Sequence, residues 1–564
     1  MPAPPIKTPN QPWFTQLFQY SQETPSRVFI RDHQTGKDTT FAEFLYEVIA
    51  HRDRLESALS ENVRGRLKDP DEEVFIAIIA SGGLDFMVLL FAMCSLGGIA
   101  VPLRQNVHLE EARYFLETCN AVFITSSHTA AEHAQCFSTL SIANLSFSDT
   151  PKPPLAEFNF ELDIEAESNP YTYSPTRGFA LTYTSGTTGS PKGALYSCGS
   201  ILRGTENYHS RLSLSTDDTW LHHMPAHWKG GFDFLLTAAF SGSYIEFCGT
   251  VFSPAWFWER IKWGGISCTL ASPTLLASLK ESYDSLEPAE REKALSGLAD
   301  VRALLTGSMR VPEEIKDTWR ELVNMYGFTE GAGMLSMTDW NSEGKVPPDN
   351  CGRYFSDFGL KIDEKGELCV KGPLLMKRYI SADPNINKNA LDAEGFYKIG
   401  DLGEITPSGK IRVFGRASQD VVRSMGFKIN TASIEDPLRT YPGISQSFVL
   451  GVADPIAGQR VAALILSKPT PQAESTTENL QLADLRLWPA VEKQVPTYKL
   501  PTLLKVIRQD EFRGTTDSGK LSKKKIEGMY LQDWEENGVQ VWDLTVQEEF
   551  PGDRAWDWEG RAPM

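Results

Sequence analysis

Short apolar runs recur along the chain between stretches of helical periodicity. The runs Val74–Ala80, Ala121–Thr125, Gly178–Tyr183, Ser243–Phe247 and Ala303–Leu305 read as buried strands. Glu110–Thr118 and Glu313–Val323 instead gather their apolar positions on one helical face. The alternation predicts an α/β fold, with sheets covered by helical crossovers. Phe86–Leu103 is a longer uncharged run and raises the question of a membrane span. Asp85 ahead of it, with Gly97, Gly98 and Pro102 at its far end, predicts a buried helix followed by a strand. Farther on, Glu367–Val370 and Lys410–Val413 form a short-stranded region, and a new α+β pattern begins near Gly415–Met425. The expected organisation is a large N-terminal α/β domain with layered sheets and a short-stranded subdomain over 1–416. A small α+β domain over 417–530 follows, then a Trp-rich acidic extension over 531–564. Trp534, Trp542, Trp556 and Trp558 of that extension are expected to dock on the chain's own body.

Composition narrows the function classes. A chain of 564 residues, 41% hydrophobic and 23% charged, has ample length for several packed cores. Its formal charge of −18 argues against nucleic acid or an anionic membrane as a partner, while leaving room for a local basic pocket. The eight cysteines show no CxxC pair and read as core thiols in a reducing compartment. No secretory leader, transmembrane segment or peroxisomal ending is read, so a cytoplasmic location is expected.

The densest chemistry lies in Leu181–Gly193, where an apolar strand runs into Thr184, Ser185, Gly186, Thr187, Thr188 and Gly189 and closes on Lys192. Glycines let backbone N–H groups approach an anion, hydroxyls add donors, and the lysine supplies a mobile charge for phosphoryl oxygens. By composition alone a Gly/Ser/Thr-rich surface loop is the competing reading, and the GxxxxGK[ST] pattern of nucleotide hydrolases is absent. Lys520, in Thr516–Lys525, reads on composition as part of an exposed basic turn.

The loop TSGTTGSPKG resembles the signature of the adenylate-forming superfamily, which contains acyl-CoA synthetases, aryl-CoA ligases, firefly luciferase and peptide-synthetase adenylation domains. Tyr326-Gly327-Phe328-Thr329-Glu330 resembles its YGxTE element, and Tyr397-Lys398-Ile399-Gly400-Asp401 its YxTGD element, with Ile399 in place of Thr. Gly307, Ser308 and Met309 stand where an adenine-contacting Gly-Gly-Ala is usual, and Gly415-Arg416 resembles the end of the large domain. The likeness runs from about Phe29 to Lys525.

This resemblance implies roles. Lys192 grips β/γ-phosphates, Tyr326 packs near adenine, Thr329 touches phosphate, Glu330 helps hold Mg2+, and Asp401 with Arg416 takes the ribose. Lys520 becomes the adenylation lysine on a mobile small domain. Arg423, Gly426 and Phe427 belong to the loop that meets coenzyme A after rotation. Gly415 and Gly426 are eleven residues apart, one more than the family spacing, which leaves the hinge at either Ser418 or Gln419. His227, Trp228, Lys229, Gly230 and Gly231 fall where the acyl pocket is lined. Amino-acid-activating members carry Asp at the position of Lys229, which argues against an α-amino acid substrate. A partnerless inward Lys229 would call for an acceptor on the acid, such as a second carboxylate. The implied activity is ATP-dependent acid–CoA ligation through an acyl-adenylate, with ATP, Mg2+ and coenzyme A. Loading of a holo acyl carrier protein and a luciferase-like adenylating enzyme are the alternatives.

Overall fold

The computed structural model describes residues 5–135, 137, 142–152, 154, 157–163, 171, 173–183, 191–248, 252–308, 311, 319, 322–339, 350–388, 390–416, 420–425, 427–468, 480–492, 495–515, 521–534 and 536–544. The short apolar runs are strands: Phe75–Ile79, Phe123–Ser126, Gly178–Tyr183, Tyr244–Phe247 and Ala303–Thr306. The uncharged run divides into helix Gly83–Ser95, buried nearly all round, and strand Ile99–Leu103. Among the described residues no helix is long and apolar enough to cross a membrane. Leu109–Cys119 is helical as its periodicity predicts. Most of Glu313–Val323 lies outside the described residues, and its last two residues, Leu322 and Val323, open strand Leu322–Tyr326. Residues Val323, Asn324 and Met325 are buried there.

Two large sheets build the first domain. One has seven strands, in the order Arg378–Ile380, Gly193–Ser197, Gly178–Tyr183, Ile99–Leu103, Phe75–Ile79, Phe123–Ser126, Ala143–Ser146. Its centre is parallel and its first two strands are antiparallel. The other has thirteen strands and changes character along its width. Strands from Val28–Asp32 to Leu322–Tyr326 pair in parallel, and those from Ser336–Met337 to Gly359–Ile362 are antiparallel. The main core lies between the sheets, where Phe86, Tyr196, Tyr208, Trp220 and Phe232 are fully enclosed.

A separate six-stranded sheet with its own core forms the small domain. It continues past residue 530, because Gln540–Val541 pairs with Leu503–Arg508 as an edge strand. Trp534 lies under the Arg460 guanidinium at 5.1 Å and Trp542 under that of Arg486 at 4.4 Å, so both dock in cis. Trp556 and Trp558 lie outside the described residues.

Candidate active site

Strand Leu322–Tyr326 delivers its last residue and the following turn to the junction of the two large sheets. Tyr326 donates its hydroxyl to Asp401, and Arg416 places Nε 2.9 Å from the other carboxylate oxygen. Asp401 and Arg416 are facing residues of an antiparallel pair, which fixes that contact. Arg416 also donates to the Ile399 carbonyl at 2.8 Å, so the backbone at Ile399 takes the guanidinium while its side chain joins the core. Burial pushes the Asp401 carboxyl above its ordinary value, and Arg416 and the Tyr326 hydroxyl pull it back down.

A second cluster centres on Lys192, which follows Pro191, a residue whose carbonyl accepts from the Tyr114 hydroxyl at 2.6 Å. The Lys192 ammonium lies 3.9 Å from Glu330 and 3.1 Å from the Tyr379 hydroxyl. Tyr379 in turn donates to Glu330 and sits 2.9 Å from the Tyr397 hydroxyl. Tyr397 and Asp401 fall on one face of strand Tyr397–Ile405, so the two clusters share a scaffold. Gly307 is packed so that a Cβ would lie 2.6 Å from the Met325 carbonyl oxygen, and Ser308 holds φ at +70°. A Cβ at Gly327 would meet the Met334 sulfur at 2.4 Å.

The Thr329 carbonyl accepts from the Tyr196 hydroxyl. Behind that ring, the Lys229 ammonium lies 4.8 Å from the Tyr196 centroid and pairs with Asp233 one turn along helix Lys229–Ser241. Lys229 therefore turns inward with a partner already in place. Burial lowers its pKa and raises that of Asp233, against their mutual attraction. His227 keeps a buried Nδ1 with no hydrogen-bond partner among the described residues, and burial with the nearby Arg104 charge lowers it to about 4. Trp228 precedes the helix, with its ring 5.9 Å from His227. Gly231 has no room for a side chain, since a Cβ would lie 2.2 Å from the Pro225 carbonyl oxygen, while at Gly230 the nearest atom is 3.5 Å away. Helix Cys198–Leu212 abuts the turn after Glu330 through Gly204, where a Cβ would stand 1.9 Å from the Ala332 carbonyl oxygen.

On the small domain, Arg423 is exposed and Phe427 stacks on Tyr498 at 4.5 Å. Met425 between them holds φ at +52°. Lys520, Gly426, Met309 and the loop 184–190 lie outside the described residues. Lys523 is fixed by Asp420 at 2.7 Å, the Val449 carbonyl at 2.8 Å and Thr431 at 2.9 Å. The structure thus gathers Lys192, Tyr326, Thr329, Glu330, Asp401, Arg416 and Lys229 around one strand end and turn, with Arg423 and Phe427 on a different sheet. Sequence reasoning passed over Tyr196, Asp233 and Tyr379. The i,i+4 spacing of Lys229 and Asp233 was a readable signal, whereas Tyr196 and Tyr379 sit in strands without a motif of their own.

The sequence profile described as AMP-binding enzyme matches residues 17–380. An acyl-CoA ligase of Aspergillus oryzae, oryP, is 26% identical, with 93% of each chain covered. Malonate–CoA ligase of Arabidopsis thaliana is 25% identical, covering 80% of this chain and 77% of its own. ATP-bound MatB from Rhodopseudomonas palustris superposes with a TM-score of 0.71 at 20% identity, over 92% of this chain and 99% of that one. The profile takes in more than half of the chain, and the two-sheet body with its smaller α+β domain is the fold of the solved relatives; the chain belongs to the AMP-binding enzyme family, within the adenylate-forming superfamily of acid-activating enzymes.

Proposed function

We propose that the chain is an AMP-forming acid–CoA ligase. The observation that carries this reading is the convergence of a phosphate-side pair, Lys192 and Glu330, with a ribose-side pair, Asp401 and Arg416, on one scaffold. In the first half-reaction a carboxylate oxygen of the acid attacks the α-phosphorus of ATP and pyrophosphate leaves. Asp401 accepts from the ribose hydroxyls, and Lys192 draws the β/γ-phosphates toward itself. Glu330 suits Mg2+ held partly by ATP, because a single buried carboxylate beside a triphosphate is how this ion is commonly bound. Bound there, Mg2+ supplies charge to offset that of the departing pyrophosphate. Lys520 closes over the reacting carboxylate and α-phosphate. In the second half-reaction the thiol of coenzyme A attacks the acyl carbonyl and AMP leaves, with Arg423, Gly426 and Phe427 turned toward the thiol.

The acid enters beside His227, Trp228 and Gly230. His227 is neutral at pH 7, and Lys229 is already matched by Asp233, so the wall offers hydrogen bonds and apolar surface rather than an uncompensated cation. The related CoA ligases and the solved acid-activating relatives support this reading. A panel of carboxylic acids with ATP and coenzyme A, read for pyrophosphate exchange, AMP and thioester together, tests it. Exchange without thioester on coenzyme A would redirect it toward a carrier-protein acceptor, and no exchange with any acid would reject it.

A further inference from the structure

Tyr379 touches both charges at the phosphate end of the site. It lies on edge strand Arg378–Ile380, where alternation sends Arg378 outward and Tyr379 into the core at 4% exposure. The strand is pinned on several sides. Tyr379 faces Ala194, just beyond the phosphate loop, and the Asn387 side chain bonds both its N–H and its carbonyl at 2.8 and 2.9 Å. On the outer face Lys377 and Arg378 both pair with Glu73. Met376 donates to the Glu330 carbonyl at 2.8 Å, so a single segment registers the Glu330 turn against the strand leaving the loop.

We propose that Tyr379 is a positioning residue that couples Mg2+ binding at Glu330 to triphosphate binding at Lys192. The proposal rests on the ATP-dependent reading above. Lys192 and Glu330 oppose each other at 3.9 Å, and the Tyr379 hydroxyl sits between them. Phosphate oxygens compete for the ammonium, and a divalent cation competes for the carboxylate. Each therefore breaks the contact that holds back the other, which makes the two binding events mutually favourable. The Tyr379 hydroxyl keeps Glu330 aimed as the ammonium leaves, and its ring, 4.3 Å from Lys192 Nζ, keeps that side chain over the phosphate path.

Tyr379→Phe keeps the ring and deletes the hydroxyl. Calorimetric titration of the full chain with ATP, with and without Mg2+, reads the coupling directly. Wild type is expected to bind ATP about tenfold tighter with Mg2+, and the variant to lose most of that gain while its Mg2+-free ATP affinity holds. The Mg2+ half-saturation of pyrophosphate exchange should rise in step. An intact Mg2+ gain in the variant overturns the proposal, as does an equal loss of ATP affinity without Mg2+, the mark of a merely structural role. Should Tyr379→Phe fail to fold, Glu330→Gln keeps an acceptor for the Tyr379 hydroxyl and removes the charge that Lys192 and Mg2+ share, and it is expected to lose the Mg2+ gain. An unchanged Mg2+ gain there overturns the proposal too. A wild-type chain that binds Mg2+-ATP yet adenylates no acid rejects the proposed function and leaves this test standing.

Discussion

Lys229 and Asp233 form an ion pair whose side chains are 11% and 5% exposed, so solvent screens it little. Lys229→Met leaves the buried Asp233 carboxylate without its cation, and Asp233→Leu strands the ammonium at a helix N-terminus, where positive charge is disfavoured. Each single change should cost about 3–5 kcal/mol, the range for one partner of a buried pair. The double variant swaps the pair for apolar side chains of similar size and should cost less than about 2 kcal/mol. Two single costs of at least about 3 kcal/mol against a double below about 2 close the cycle with a coupling of roughly 4 kcal/mol or more, beyond the usual range for contacting residues. Urea unfolding of the four proteins followed by far-ultraviolet circular dichroism measures it. Single effects that add to within about 0.5 kcal/mol would refute the reasoning and free Lys229 to bind a charged group on the acid.

Asp401→Ala should weaken ATP and acyl-AMP binding by about 1–3 kcal/mol, the usual cost around a charge-assisted hydrogen bond, and unchanged calorimetric affinity would reject its ribose role. Lys520→Ala should abolish most pyrophosphate exchange and spare thioester formation from supplied acyl-AMP; parallel losses would count against a lysine used in one half-reaction only. Burial lowers His222, His223 and His227 to about 3, 4 and 4, below the roughly 6.5 of an unfolded chain. The unfolded state then binds more protons below pH 6.5, so stability falls as pH drops from 6.5 toward 4, by about 2 kcal/mol per histidine at pH 5. Equal urea midpoints at pH 7 and 5 for wild type and a His222→Gln variant would show that these rings do not carry the effect.

The large-domain strands were legible because burial on both faces leaves short, nearly continuous apolar runs, as in Phe75–Ile79. That Lys192 belongs with Glu330, and Asp401 with Tyr326 and Arg416, was legible because their motifs use few residue types in a fixed order, and the structure brings each set into contact. Three things were not. The boundary at Leu322 is one, since the helical pattern of Glu313–Val323 runs two residues past the start of the strand. The small domain's edge strand past residue 530 is another, because Gln540 and Val541 are too few to signal it. Tyr379 left no trace, since its role depends on Lys192 and Glu330, both far away in sequence and brought to it only by the pairing of Arg378–Ile380 with Gly193–Ser197.

Gly204 sets a distance by omission. The nearest obstacle to a Cβ there is the Ala332 carbonyl oxygen at 1.9 Å, a backbone atom with no rotamer to yield, and Gly333 on the same turn brings its own backbone against Gly204. Ordinary contact begins near 3.4 Å, so a single methyl group must drive helix and turn apart by the difference, 3.4 − 1.9 = 1.5 Å. Glu330 sits immediately ahead of that turn, and displacements of about 1 Å in a reacting constellation can cost on the order of a hundredfold in rate. Helix Cys198–Leu212 thus acts as a gauge block for the carboxylate: its reach is calibrated by a missing atom, and Gly204→Ala would detune the reaction without altering one charge, donor or acceptor in the site.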